Sequence, residues 1–191
     1  MTRRKHKLSE QDLEVGKVTS RRIYTGRVVS LDVDTVRFPN GTVGELEMVR
    51  HSGASAVIPL LETPNEESRV ILIRQYRYAA KGFVYEIPAG RLDGNETPAE
   101  CARRELKEET GYAAENLVPL TIIFTTPGFT DERIHLFLAT GLTPGSAALE
   151  SDEILQLCPT PLSLVLEMIR SGEIQDGKTI SALLFATLFS K

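Results

Sequence analysis

The sequence predicts an α+β or mixed α/β sandwich rather than a helical bundle or a barrel, with a small antiparallel sheet at the N-terminal end. Strand-like apolar runs recur along most of the 191 residues, and three segments with helical apolar spacing are interleaved with them. The Asn-Gly step in "PNGT", residues 39–42, is typical of a tight hairpin between two strands. A composition of 41% hydrophobic and 25% charged residues is that of an ordinary globular protein.

The N-terminal part of the chain reads as β structure. "RRIYTGRVVSLDVDTVRF" and "VGELEMVRH" flank the predicted hairpin turn, and a break follows near "HSGA". We therefore expect residues 1–52 to form an N-terminal β-sheet region and residues 53–191 to form the main domain.

The main domain begins with buried strands. "SAVIPLL" and "RVILIRQYRY" are separated by a polar loop, and "FVYEIPAG" is a third short extended segment. "LVPLTIIFTTPG", "RIHLFLATGL" and "EILQLCPT" read as later strands, whereas "LSLVLEMIRSG" and "TISALLFATLF" show helical spacing. These two helices are expected to close the domain.

A further helix has clear start and stop signals. Thr97 suits the N-cap, Pro98 suits the first helical position, and Glu100 stands three residues after Thr97 as a capping-box partner. Gly111 is a typical C-terminal stop. The helix is predicted from about Pro98 to about Thr110.

Charge and hydropathy exclude several classes of protein. The net charge of -4 argues against general binding to nucleic acid or anionic membranes, and the basic start "TRRKHK" reads as a short tail. No apolar run is long enough to cross a bilayer, so we expect a cytoplasmic protein. The two cysteines suggest neither a disulfide framework nor a zinc site, and Cys101 is expected in the core.

The predicted helix carries three glutamates within about one turn. Glu105 and Glu109 lie one above the other on a helix, with Glu108 beside them, and like charges at this spacing repel. A solvated face paired with Arg104 and Lys107 is one interpretation. A divalent cation is the other, because Mg²⁺ prefers carboxylate oxygens and often bridges to substrate phosphates.

The segment "GRLDGNETPAECARRELKEETGY" resembles the Nudix hydrolase box. The resemblance implies an α/β/α sandwich and hydrolysis of a nucleoside diphosphate linked to another group, with Mg²⁺ or Mn²⁺ as cofactor. All the fixed positions of the box match, namely Gly90, Glu96, Arg104, Glu105, Leu106, Glu108, Glu109, Gly111 and Tyr112.

The resemblance also implies roles for individual residues. Glu105 and Glu109 would bind the metal directly, Glu108 directly or through water, and the carbonyl of Ala89 would be a backbone ligand. By the same resemblance, Arg104 would take part in catalysis by orienting the acidic ligands, together with Glu96.

Segments on both sides of the box resemble the ADP-ribose pyrophosphatase branch of the family. These are "YEIPAG" and "TTPGFTDERIHLFLA", in which Pro127 fits a proline characteristic of the branch. The implied reaction converts ADP-ribose and water into AMP and ribose 5-phosphate. The branch also implies a homodimer in which the N-terminal sheet exchanges with that of a partner.

The resemblance to this branch also implies roles for residues in loops and at strand ends. Arg77, Arg50, Pro127 and Glu132 are candidates for substrate binding, although Arg77 and Glu132 fit ordinary surface positions equally well. "ALESDEILQL" offers Glu150, Asp152 and Glu153 as the catalytic base, and Glu153 is favoured by its spacing to the next strand.

Three other functions compete with the preferred one. The box does not distinguish ADP-ribose from other nucleoside diphosphate sugars such as GDP-mannose, because it binds only metal and phosphate. A non-catalytic nucleotide sensor would be expected to lack box glutamates or to have a DNA-binding region. A purely structural protein would leave the box unexplained.

Overall fold

The structure, a computed structural model, describes residues 15–147 and 154–189. These residues divide into two compact units. The first contains the described residues up to His51 together with Thr126–Asp131, and the second contains Ser52–Thr125 and the described residues from Glu132 onward.

The first unit is a three-stranded antiparallel sheet. Its strands pair in the order β1-β2-β3. The hairpin predicted at "PNGT" is present, since the amide of Phe38 donates to the carbonyl of Thr42 at 2.8 Å. A second turn, in which Gly26 N donates to Val29 O at 2.9 Å, splits the first predicted β run into two strands. The strands are β1 (Gly16–Thr25), β2 (Ser30–Arg37) and β3 (Val43–Arg50).

The second unit contains a seven-stranded mixed sheet. Its main path is β10-β5-β4-β9-β8, with β6 paired to β5 and β7 paired to β4. The pairing of β4 with β9 is parallel, and the other strand pairs of this sheet are antiparallel. The strands are β4 (Ala54–Leu61), β5 (Arg69–Arg77), β6 (Gly82–Glu86), β7 (Ala89–Arg91), β8 (Tyr112–Phe124), β9 (Arg133–Pro144) and β10 (Leu155–Pro161).

Helices cover both faces of this sheet. They are α1 (Pro98–Thr110), α2 (Leu162–Ser171) and α3 (Gly177–Phe189). Because successive strand residues point to opposite faces, Ile58 packs in the cluster that contains Leu183 of α3, whereas Val57 packs with Leu106 of α1. The predicted α/β/α sandwich with a small N-terminal antiparallel sheet is confirmed.

The ends of α1 agree with the sequence prediction. The hydroxyl of Thr97 accepts from Glu100 N, and the Glu100 side chain accepts from Thr97 N at 2.7 Å, which completes the capping box. Gly111 ends the helix in the left-handed region, with φ of 78°. The next strand, β8, begins at Tyr112, whereas the sequence predicted a start at Leu117. "AAEN" has weak strand propensity, and its pairing with β9 decides its conformation.

Within residues 15–147 and 154–189, no helix is both long and apolar enough to cross a bilayer. Cys101 on α1 is fully buried, as expected of a core residue. Burial raises the pKa of its thiol to about 12.

Candidate active site

The three glutamates of α1 differ in burial. Glu105 and Glu109 are only 7% and 2% exposed, whereas the side chain of Glu108 is 39% exposed. Leu106, on the same helix, is fully buried between α1 and the sheet. The packed helix therefore fixes Glu105 and Glu109. Of the three glutamates, only Glu108 fits the interpretation of a solvated helix face.

The buried carboxylates lie against the short strand β7. The amide of Ala89 donates to Oε2 of Glu109 at 3.0 Å. A Cβ atom at Gly90 would lie 1.7 Å from Oε1 of Glu105, so a side chain at this position would displace the carboxylate. Glycine at position 90 thus lets the backbone approach the acidic edge of α1.

Arg104 joins the acidic groups of the box. Its guanidinium donates to both oxygens of Glu96, at 3.1 and 2.6 Å, to Glu105 at 2.6 Å and to Glu108 at 3.0 Å. A further bond, of 3.0 Å, reaches the carbonyl of Arg91. Arg104 therefore offsets much of the repulsion between the glutamates and holds Glu105 and Glu108 together.

These bonds also shift ionisation in the cluster. Hydrogen bonds from Arg104 and, to a smaller extent, from the amide of Asp93 lower the pKa of Glu96 to about 2. The carboxylates, Glu96 first, hold the pKa of Arg104 above its ordinary value. Both groups are therefore charged at neutral pH.

A cleft of about 220 Å³ opens beside this cluster. Its donor set is of the hard-oxygen type that Mg²⁺ and Mn²⁺ accept. In the described part of the chain, no three acidic, histidine or cysteine side chains are already arranged around a cation position. A cation at this site must compete with Arg104 for Glu105 and Glu108. The cleft is lined by Ala89, Gly90, Arg91, Asp93, Arg104, Glu105 and Glu108.

Arg77 belongs to a second group of charges that the sequence analysis missed. It donates to both oxygens of Glu86, at 2.8 and 2.9 Å, while Lys178 pairs with Glu86 and, at 3.1 Å, with Asp176. We call Arg77, Glu86, Asp176 and Lys178 the Glu86 quartet, because buried Glu86 lies at its centre. Glu86 and Lys178 are 92 positions apart, so no local pattern could indicate their pairing.

The quartet interacts electrostatically with Glu109. The bonds to Glu86, followed by the charges of Glu109 and Asp176, hold the pKa of Arg77 above its ordinary value. Burial alone would raise the pKa of Glu86, but its bonds to Arg77 and the charge of Lys178 lower it. Arg77 is thus charged and near the box, although two of its nitrogen atoms already donate to Glu86.

Arg50 and Pro127 belong to the first unit. Arg50 donates to Asp32 and Asp131, each at 3.1 Å, and also pairs with Asp34. Burial opposes its charge, but these carboxylates, Asp34 first, raise the pKa of Arg50. Pro127 lies in Thr126–Asp131, a segment tied to β3 by a bond of 2.8 Å from Val49 N to Phe129 O.

The two remaining predictions concern acidic loop residues. Glu132 accepts a hydrogen bond from the hydroxyl of Thr125 at 2.8 Å and is not among the residues that line the cleft. Glu150, Asp152 and Glu153 lie outside the described residues. The assignment of Glu153 as the base therefore stays a prediction.

Most of the chain matches a known protein family. The NUDIX domain matches residues 51–183, which include the cleft and the Glu86 quartet. The chain belongs to the Nudix family. The family predicted from the box is confirmed, and the protein is a Nudix hydrolase.

Several Nudix relatives are similar over most of their length. A methanol dehydrogenase activator of Bacillus methanolicus is 40% identical, over 90% of this chain and 91% of the relative. An ADP-ribose pyrophosphatase of Bacillus subtilis (strain 168) is 36% identical, over 93% and 95%. A GDP-mannose pyrophosphatase of Yersinia enterocolitica is 35% identical, over 78% and 82%.

A solved structure supports the Nudix fold. An ADP compounds hydrolase superposes with a TM-score of 0.77, over 91% of this chain and 92% of that chain. At 23% sequence identity this likeness concerns the fold alone.

Proposed function

We propose that this Nudix hydrolase cleaves the pyrophosphate bond of ADP-ribose, giving AMP and ribose 5-phosphate, with Mg²⁺ as cofactor and Mn²⁺ as a possible substitute. The observation that carries the proposal is the pair of buried carboxylates, Glu105 and Glu109, held against Ala89 and Gly90. The ADP-ribose pyrophosphatase from Bacillus subtilis, similar over nearly its whole length, supports the substrate.

The cation is assigned to Glu105, Glu109, Glu108 and the carbonyl of Ala89. Bound there, a divalent cation would neutralise phosphate oxygens and lower the pKa of the attacking water. The hard oxygen donors suit this cation. Three carboxylates share the single guanidinium of Arg104, so the group keeps a net negative charge that a cation would neutralise.

The chain's own residues then position the reacting groups. If a cation bound Glu105 and Glu108, Arg104 would lose its bonds to them but would stay anchored by its two bonds to Glu96. We assign Arg104 and Glu108 to catalysis on this basis. Glu153 is proposed to take the proton from the attacking water.

Substrate contacts are proposed for four further residues. The guanidinium groups of Arg77 and Arg50 would pair with an anionic diphosphate or donate hydrogen bonds to ribose hydroxyls, and both are held by carboxylates in this structure. Pro127 and Glu132 are proposed to contact the remainder of the nucleotide sugar.

The homodimer and the cytoplasmic location also stay predictions. Sedimentation equilibrium would measure whether the protein is a dimer.

GDP-mannose is the second candidate substrate. The GDP-mannose pyrophosphatase of Yersinia enterocolitica covers 78% of this chain at an identity close to that of the ADP-ribose enzyme. The relative at 40% identity is a methanol dehydrogenase activator, so overall identity does not rank the substrates. A nucleotide sensor is disfavoured, because all box carboxylates are present.

Product analysis on a panel of nucleoside diphosphate sugars tests the proposal. With Mg²⁺, ADP-ribose should be cleaved fastest, AMP and ribose 5-phosphate should appear in equal amounts, and a chelator should abolish turnover. If GDP-mannose were cleaved faster than ADP-ribose, the assigned substrate would be GDP-mannose instead. Equal turnover with and without the chelator would refute the cation assignment.

A further inference from the structure

We propose that Lys178 and Thr179, at the start of α3, are positioning residues for the divalent-cation site, because they fix residues 86–89. The inference rests on the proposed function only in placing the cation at Ala89 and the box glutamates. Neither residue lines the cleft, and both would act through the backbone that leads to Ala89.

Thr179 holds the backbone of this segment directly. Its side chain is fully buried, and its Oγ1 accepts a hydrogen bond from Ile87 N at 2.9 Å. The same hydroxyl donates to Oδ2 of Asp176 at 2.6 Å, which also accepts from Thr179 N at 2.9 Å. Because Asp176 occupies the hydroxyl proton, the oxygen is left to accept from Ile87.

Lys178 holds the preceding residue by its side chain. Glu86 is 2% exposed and pairs with Lys178, whose side chain is only 12% exposed. Consecutive residues of α3 therefore hold consecutive residues of the 86–89 segment, one through the Glu86 carboxylate and one through the Ile87 amide. Two adjacent anchors restrain the direction of the segment as well as its position.

The restraint extends to the proposed metal ligand. Ile87 is fully buried, and the ring of Pro88 fixes its own φ. The Pro88 carbonyl accepts from Val57 N at 2.9 Å, and Ala89 N donates to Glu109 at 3.0 Å. A shift at Ile87 would thus be passed through the rigid Pro88 to Ala89 and to the carboxylate that its amide holds.

The experiment compares three variants at two threonines of α3. Thr179→Val keeps the shape of the side chain but removes the acceptor for Ile87, whereas Thr179→Ser retains it. Thr187→Val makes the same substitution at an exposed position of α3 and serves as the control for the change itself. Among the described residues, the Thr187 hydroxyl donates to the Leu183 carbonyl of its own helix at 2.7 Å. Mn²⁺ binding without substrate is measured by electron paramagnetic resonance, and thermal unfolding is recorded for each protein.

Thr179→Val should bind Mn²⁺ about tenfold more weakly, as is usual when a group that orients metal ligands is removed. The Mg²⁺ concentration for half-maximal turnover should rise by a similar factor. Thr179→Ser and Thr187→Val should both bind Mn²⁺ like the unchanged protein. A lower melting temperature with unchanged Mn²⁺ affinity in Thr179→Val would overturn the inference and leave only a structural role.

Two further outcomes separate this inference from the proposed function. If the unchanged protein binds Mn²⁺ but cleaves no nucleotide sugar, the proposed reaction fails, and the Mn²⁺ comparison still decides the inference. If it binds no Mn²⁺, both fail. Should Thr179→Val not fold, Lys178→Met against Lys178→Arg gives the same comparison, with weaker Mn²⁺ binding expected only for the methionine variant.

Discussion

The box cluster and the Glu86 quartet are two groups of charges in the same unit, and they differ in the balance of acidic and basic side chains. In the box cluster, Glu96, Glu105 and Glu108 share the single guanidinium of Arg104 beside an open cleft. The quartet matches two acids with two bases, and its Glu86 is almost fully buried. Excess carboxylate can accept a cation, whereas a balanced group built around one buried carboxylate is suited to hold structure.

The largest expected effect on stability is in the quartet. Glu86→Gln leaves Arg77 and Lys178 without their shared counter-charge and should lower the free energy of unfolding by about 3 kcal/mol. This is the low end for a broken buried pair, because the Arg77 side chain is 43% exposed. Urea denaturation at neutral pH measures the difference.

The control for this prediction is the same substitution at an exposed pair. Glu167 bonds to Arg170 on the surface of α2, with both side chains more than half exposed. Glu167→Gln should change the free energy of unfolding by less than about 0.5 kcal/mol. Equal losses for the two variants would contradict the assigned role of the quartet.

A smaller effect is expected at Glu96 and only in acid. Its pKa is about 2 in the folded chain and has a reference value of 4.5, so its stabilising effect is present above about pH 5 and is lost as pH falls toward 2. Glu96→Gln should therefore be less stable than the unchanged protein at pH 6, and the difference should shrink in acid. Urea midpoints across this range check the sign, with Glu62→Gln as an exposed control; a difference that grew in acid would contradict it.

The smallest effect on stability is expected at Glu108. Its bond to Arg104 is an i,i+4 pair with both side chains partly exposed, and its removal also lessens repulsion within α1. Glu108→Gln should shift the free energy of unfolding by less than about 0.5 kcal/mol while it reduces turnover. A loss as large as that of Glu86→Gln would mean that the box cluster, too, is mainly structural.

Much of the fold could be predicted because its signals are local. The capping residues around α1, the Asn-Gly hairpin and the apolar spacing of α2 and α3 each act within a few residues, and the structure places them as expected. The early start of β8 could not be predicted, because its conformation depends on pairing with β9. Long-range pairing of this kind leaves no periodic signal.

The candidate site shows the same contrast between residues that local spacing predicts and residues that only tertiary packing brings together. The box places Glu105, Glu108 and Glu109 on one helix, so sequence spacing alone brings them together. Glu86, Lys178 and Thr179 meet only through the packing of α3 against the 86–89 segment. The carboxylate bonds of Arg50 and Arg77 also depend on tertiary packing, which is why they were not anticipated.

The most direct test of the central claim is turnover of Glu109→Gln with Mg²⁺ and ADP-ribose. Glutamine can still accept the Ala89 hydrogen bond, so the melting temperature should change little, whereas the loss of a ligand charge should reduce turnover by about a hundredfold or more. Unchanged turnover in a folded Glu109→Gln variant would contradict the assignment of Glu109 as a metal ligand.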